Sequence, residues 1–390
     1  MQVKGKIRMT KSLFYKKEAH ALWDEKLEKH RPQFEQYAMQ VGDEGRFPYE
    51  NLQTLRDIGY TKLTLPEEWG GEGYRVYDAL LAHEKLGSLD GSTALIVSWT
   101  LMTIGELYEH RYWDAERLDA FAKEVNDGAI VNRAVSEFAM GSPARGGRPA
   151  SHAVYDGEQW VVNGRKNYTT GSYGLDYFLT AIWVEEHQQM GYFLIHKDTP
   201  GVSIEENWDV LSMRGTASHD LVLENVHLPH NALVELSSDR AHLANNGWLL
   251  LIPATYLGIA QAARDYAVQF AKTHSPNSIK GTIAQLPNVR SLVGEMDLEL
   301  SKARFALYGA AEAYDDRERR GHLTNELSVA KHIVTNAAIT IVDKAMRLVG
   351  AKSLQQSCPL QRYYRDVRAG LHNPPMDDIT IKKLADDALK

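Results

Sequence analysis

Two short stretches carry residue types suited to a flat, oxygen-rich ligand. Val135-Ser136-Glu137-Phe138-Ala139-Met140-Gly141-Ser142 sets two hydroxyls and a glycine within one segment, and glycine lets a backbone approach closely. Taken alone, the same string also reads as a capping box or ordinary loop. Lys166-Asn167-Tyr168-Thr169-Thr170-Gly171 places an aromatic two residues before a hydroxyl. On a strand this spacing sends Tyr168 and Thr170 to one face, where a ring plane beside a hydroxyl suits a heteroaromatic ligand. A plain strand end is the simpler alternative for that segment.

Other chemistry is thinly represented. The 15 histidines include no HExxH and no closely spaced ligand pair, so no metal site is expected. Cys358 is the single cysteine, which excludes an internal disulfide, Cys-only zinc sites and CxxC redox motifs. A reducing, cytoplasmic compartment follows as the expectation, and a lone thiol before a proline reads as inert. Neither GxGxxG after a strand nor GxxxxGK[ST] occurs, so a phosphate-bearing cofactor must be held by other means. Lys and Arg total 44 against 51 Asp and Glu, a net charge of −7, which argues against a nucleic-acid partner. The longest apolar stretch, Trp248 to Ala260, is too short to span a bilayer and contains Pro253, so no membrane insertion is expected.

The elements that position these residues fall into three parts. From residue 1 to 126 the pattern is helical, interrupted by the Gly- and Pro-bearing loop Leu65-Pro66-Glu67-Glu68-Trp69-Gly70-Gly71-Glu72-Gly73. From 127 to 236 short β-rich runs alternate with turn signals at Asp156-Gly157 and Asn163-Gly164, a meander that closes on His219 to Pro229. From 237 to 390 the helical period returns. Leu292, Met296, Leu300, Ala303, Leu307 and Ala310, then Val334, Ala338, Ile341, Ala345 and Leu348, recur at three- and four-residue steps as the seams of a bundle. The fold class is α+β, with strands consecutive rather than interleaved with helices, which excludes a doubly wound sheet.

Taken in order, Leu65-Pro66-Glu67-Glu68-Trp69-Gly70-Gly71, Val135-Ser136-Glu137 to Gly141-Ser142, Asn163 to Gly171, Met213-Arg214-Gly215-Thr216-Ala217-Ser218-His219-Asp220 and Tyr364-Arg365-Asp366 resemble the landmarks of the acyl-CoA dehydrogenase family of flavoproteins. The resemblance covers nearly the whole chain. It implies an N-terminal helical domain, a central antiparallel β domain and a C-terminal four-helix bundle, assembled as a homotetramer or dimer of dimers. It further implies a flavin, FAD with FMN as the alternative, and a small acyl-CoA-like substrate oxidised at a CH–CH bond. An electron-transfer partner or a flavin reductase would complete the cycle. At the matching positions the family meets the flavin's pyrimidine edge through Val135 and Ser136 and its diphosphate side through Gly141 and Ser142. Tyr168 takes the place of a tryptophan packed on the ring system, and Thr170 that of a hydroxyl donating to flavin N5.

The resemblance fails at the catalytic base. Dehydrogenases of this family remove an α-proton with a glutamate, which here falls on Pro374 or, in the minority arrangement, on Trp248 in the substrate pocket. Many members also carry an arginine, a phenylalanine and a glutamine that reach a neighbouring subunit's FAD, at positions occupied here by Pro276, Ile279 and Pro287. The tail Arg365 to Pro375 resembles instead the oxygen-using monooxygenase branch, typified by dibenzothiophene monooxygenase, in which a tail histidine faces the flavin. That implies a role for His372, a residue type that titrates near neutral pH. A non-catalytic flavin- or acyl-CoA-binding homologue is the remaining alternative.

Overall fold

The computed structural model describes residues 13–138, 147–240 and 246–390. Six helices come first among the described residues: α1 (Glu18–Glu28), α2 (Arg31–Glu44), α3 (Tyr49–Asp57), α4 (Val76–Leu89), α5 (Gly91–His110) and α6 (Ala115–Asn126). The strands follow as β1 (Val131–Ala134), β2 (His152–Tyr155), β3 (Gln159–Lys166), β4 (Tyr177–Val184), β5 (Gln189–His196), β6 (Val202–Glu205), β7 (Asp220–Pro229) and β8 (Leu233–Leu236). Helices α7 (Leu251–Thr273), α8 (Pro287–Asp315), α9 (Arg317–Arg320), α10 (Glu326–Val349), α11 (Pro359–Asp366) and α12 (Asp377–Ala388) complete the chain.

Local chemistry sets several of these boundaries. The Asp90 carboxylate accepts from the Thr93 amide at 3.1 Å and opens α5, and Asp114 does the same for Arg117 at 2.9 Å at the start of α6. Proline at the first position of α8 and of α11 gives up an amide that no helix would use there. On α10, Val334, Ala338, Ile341, Ala345 and Leu348 are all buried, and Met296, Leu300, Ala303, Leu307 and Ala310 are buried on α8. The predicted seams are therefore the packed faces. The apolar run through Pro253 forms the buried first half of α7.

The sheet runs β6-β7-β3-β2-β4-β5-β8, with β1 added against β4. Most pairs are antiparallel, whereas β1 and β2 run parallel to β4. Asp156-Gly157 is the turn between β2 and β3, as predicted, but Asn163-Gly164 is not a turn. It lies inside β3, where the register against β7 shifts between Val162 and Gly164, so the extra residue makes a bulge instead of reversing the chain. The Asn163 side chain accepts from the Asn225 amide across the pair at 2.8 Å.

Trp23 of α1, Leu81 of α4, Phe178 of β4, Leu257 of α7 and Ile341 of α10 belong to one hydrophobic cluster, so helices and sheet share a core. A buried polar link crosses it. Arg304 of α8 donates to Glu84 of α4 and to Gln261 of α7, each at 2.6 Å, and both charged side chains are about 1% exposed. The Tyr308 hydroxyl satisfies the second carboxylate oxygen, so this buried pair keeps its partners on both sides.

Candidate functional site at the junction of α5, the sheet and the tail

The two stretches singled out in the sequence meet. The Ser136 carbonyl accepts from the Asn167 amide at 2.9 Å, joining the segment after β1 to the segment after β3. Glu137 secures the join from behind. Its buried carboxylate accepts from the Lys166 ammonium, from the Ser151 hydroxyl at 2.7 Å and from the Ala150 amide at 2.7 Å. Burial, the largest single influence, would raise the Glu137 pKa, but Lys166 together with the Ser151 hydroxyl and the Ala150 amide outweighs it and holds the carboxyl below its ordinary range.

Lys166 is the last residue of β3, so the segment beyond it does not alternate as a strand. Tyr168 sits in the left-handed region with φ at 56°, and the Thr170 amide folds back onto the Tyr168 carbonyl at 2.9 Å. The shared-face expectation is thus corrected, because a turn rather than a strand sets the two side chains. Tyr168 is 61% exposed and meets Trp208 edge-on at 6.1 Å, while Thr170 is half-buried. The Thr170 hydroxyl accepts from Ser218 at 3.2 Å, and its carbonyl accepts from Asn132 of β1 at 2.6 Å. Asn132 in turn accepts from Thr100 of α5 at 3.0 Å. Gly171 has φ at +80°, and a Cβ there would lie 2.8 Å from Ile96 Cγ2 of the same helix. Beside Tyr168, the Asn167 side-chain oxygen and the Thr169 hydroxyl are buried without a hydrogen-bond partner among the described residues. Val135 and Ser136 are half-buried, and Gly141 and Ser142 lie outside the described residues.

The tail is pinned around its landmark. Asp366 accepts from the Met213 amide at 2.8 Å, and full burial pushes its carboxyl up to about 6. Tyr256 of α7, wholly buried, donates to the Asn373 side chain at 2.5 Å. Between these anchors His372 is exposed, and its imidazole makes no hydrogen bond to the described residues; Pro374 is half-buried next to it.

Trp248, on the turn that precedes α7, is only 4% exposed. Its indole lies on α5 at Gly105, where a Cβ would come within 2.7 Å of three ring atoms. The indole N–H donates to Glu109 at 2.8 Å, and Glu109 also receives Tyr314 at 3.0 Å and Arg320 at 2.6 Å. One turn earlier on α5, Glu106 receives Asn246 at 2.8 Å, Arg133 of β1 at 2.8 Å and Tyr112 at 3.3 Å. Sequence reasoning missed Glu106, Glu109 and Arg133. Only the charged residue inside the β run, Arg133, was a visible signal. Among the described residues no group of His, Cys, Asp and Glu is arranged to hold a metal ion, and no helix is long and apolar enough to cross a membrane.

Comparison with known proteins places the chain in a family. The acyl-CoA dehydrogenase N-terminal, middle and C-terminal domain models match residues 16–110, 132–226 and 250–371. YdbM of Bacillus subtilis strain 168, provisionally named an acyl-CoA dehydrogenase, is 56% identical over 97% of this chain and its own full length. The chain belongs to the acyl-CoA dehydrogenase family. It is a flavin oxidoreductase of that family. The mouse mitochondrial short-chain specific acyl-CoA dehydrogenase is 26% identical over 85% of this chain and 80% of its own. Among solved structures, KijD3 in complex with FMN and a dTDP-linked amino keto sugar superimposes with a TM-score of 0.81 at 25% identity, covering 96% of this chain and 95% of KijD3. Butyryl-CoA dehydrogenase from Megasphaera elsdenii shares the fold, with a TM-score of 0.85 at 17% identity, over 96% of this chain and 99% of its own.

Proposed function

We propose that this flavin oxidoreductase uses oxygen and acts on a small organic substrate without a carboxylate base. The observation that carries the reading is the pair of residues at the family's two base positions, Pro374 and Trp248. Abstracting an α-proton needs a lone pair on a group that titrates in a useful range. Proline offers none, and the Trp248 indole nitrogen is a donor already committed to Glu109. The carboxylates on that side, Glu109 and Glu106, each accept from three donors, so both are engaged in contacts that tie α5 to its neighbours.

The residues after β1 and β3 fit a flavin. The exposed Tyr168 ring offers a flat face, the half-buried Ser136 and Thr170 offer hydroxyls, and Asn167 and Thr169 keep buried side-chain polar atoms without partners among the described residues. Val135 and Ser136 would hold the pyrimidine edge, Tyr168 the ring face, Thr170 the central ring, and Gly141 and Ser142 the phosphate side. A flavin bound there supplies two-electron redox chemistry toward either substrate or dioxygen. The chain's own part is to hold the ring, to exclude water behind it through the Glu137–Lys166 pair, and to present the His372 imidazole for proton transfer at the substrate.

Pro276, Ile279 and Pro287 favour FMN over FAD, because none supplies a donor to a second nucleotide half. KijD3, at 25% identity, is a complex with FMN. The working assembly is a cytoplasmic homotetramer supplied with electrons by a separate flavin reductase. The other reading, CH–CH dehydrogenation of an acyl-CoA-like substrate with an electron-transfer partner, is favoured by the names of YdbM, 56% identical, and of the mouse relative, 26% identical. Mass analysis of the released flavin, followed by oxygen uptake by the chemically reduced protein, tests the proposal. FMN and rapid uptake are expected. Bound FAD with slow, substrate-dependent reoxidation would favour the second reading.

A further inference from the structure

The side chain of Arg133 is 16% exposed and, among the described residues, has one ionic partner, Glu106, through Nη1 at 2.8 Å. Its Nε and Nη2 are closed to solvent and meet no acceptor among the described residues. Those two nitrogens form one edge of the guanidinium fork, the edge that matches the two oxygens of a carboxylate. Glu106 is itself fixed by Asn246 and Tyr112, so the pair holds the fork in place with that buried edge unpaired among the described residues. The location is specific. Arg133 stands two residues before Val135, and its neighbour Asn132 ties the Thr170 carbonyl to α5. On the other side, Asn246 caps the turn of Trp248 at 3.0 Å, the position from which some family members supply their base. Arg133 therefore lies between the proposed flavin-holding segments and the residue at the site of proton abstraction.

We infer that Arg133 is a substrate-anchoring residue whose Nε–Nη2 edge receives a carboxylate, or an oxyanion of the same planar shape, carried by a small organic substrate. Buried donors of a charged group demand acceptors, and Glu106 supplies only one. A carboxylate meets the two donors with one oxygen each and adds the counter-charge, which a neutral thioester carbonyl does not. The inference rests on the proposed placement of the flavin but not on what the flavin does with oxygen.

The test is calorimetric titration of the full-length protein, oxidised and under nitrogen, both flavin-loaded and flavin-free. The probes are acetate, butyrate and benzoate, with acetamide, butyramide and benzamide as uncharged counterparts of the same shape. At least one carboxylate should bind, its amide at least tenfold more weakly. Arg133→Gln should lose at least tenfold in carboxylate affinity, and Arg133→Lys should fall between. The inference is overturned if no carboxylate binds, if acid and amide bind alike, or if Arg133→Gln binds like the parent. It is also overturned if Arg133→Gln weakens flavin binding by the same factor in the absence of any carboxylate, since the open edge would then serve the flavin. Should that variant fail to fold, the acid–amide comparison on the parent protein still decides. Oxygen plays no part in these titrations, so their outcome stands apart from that of the oxygen-using reading.

Discussion

Lys166→Met and Glu137→Gln should not cost the same, although they break one ion pair. The Lys166 side chain is fully buried, and Glu137 is its one hydrogen-bond partner among the described residues. Glu137, 4% exposed, would keep the Ala150 amide at 2.7 Å, the Ser151 hydroxyl at 2.7 Å and the Ser151 amide at 3.3 Å if the lysine were removed. Breaking a buried pair costs about 3–5 kcal/mol, because an uncompensated charge stays behind. Lys166→Met, which leaves a carboxylate with three donors, belongs near about 3 kcal/mol, and Glu137→Gln, which strips the ammonium of its counter-charge, near about 5 kcal/mol. The double replacement Glu137→Leu with Lys166→Met removes both charges and should return to within about 1 kcal/mol of the parent. Urea unfolding at pH 7 of the flavin-loaded protein, followed by flavin fluorescence and by far-UV circular dichroism, measures all three. Both single variants should also release flavin more readily, since the pair backs the Ser136–Asn167 join. A reversed order, single costs below about 1 kcal/mol, or a double variant as weak as the worse single would refute the reasoning.

Three further outcomes follow from the geometry. Thr170→Val removes the acceptor of the Ser218 hydroxyl and a proposed donor to the flavin, so flavin affinity should fall about tenfold by fluorescence titration; unchanged affinity would remove Thr170 from the site. Gly171→Ala combines a left-handed φ with a Cβ 2.8 Å from Ile96, so both melting temperature and flavin retention should drop, and an alanine variant equal to the parent would contradict the packing described. Asp366 holds its proton more tightly folded than unfolded, its pKa rising from 3.8 to about 6, so it favours the fold below pH 3.8 and loses that contribution as pH rises through 6. Asp366→Asn should therefore flatten the stability profile across that window and add up to about 3 kcal/mol above it; a profile that keeps its slope would show that another group titrates there.

Much of this molecule was legible in its residues, for identifiable reasons. The bundle seams were readable because the packed faces of α8 and α10 repeat every three or four residues. The site segments were found because hydroxyls, an aromatic and glycines cluster in short strings, and short strings are what a sequence displays. Asn163-Gly164 was misread as a turn because the same residue types serve a bulge, and only the partner strand β7 decides between them. The left-handed backbone of Tyr168 could not be expected of a tyrosine, since it belongs to a turn whose Thr169 and Gly171 amides are held by the distant carbonyls of His219 and Thr216. The Arg133–Glu106 pair and the Trp248–Glu109 bond, the latter spanning 139 residues, exist only once β1 and the turn before α7 are laid on α5.

The central claim is that neither family base position works as a base. Its most direct test is an anaerobic titration of the oxidised, flavin-loaded protein with acyl-CoA thioesters from short to long chain, followed through the visible flavin band. With Pro374 and Trp248 in place, the band should keep its intensity with every thioester. Bleaching by any one of them would show that α-proton removal proceeds from a group not recognised here, and would contradict the account.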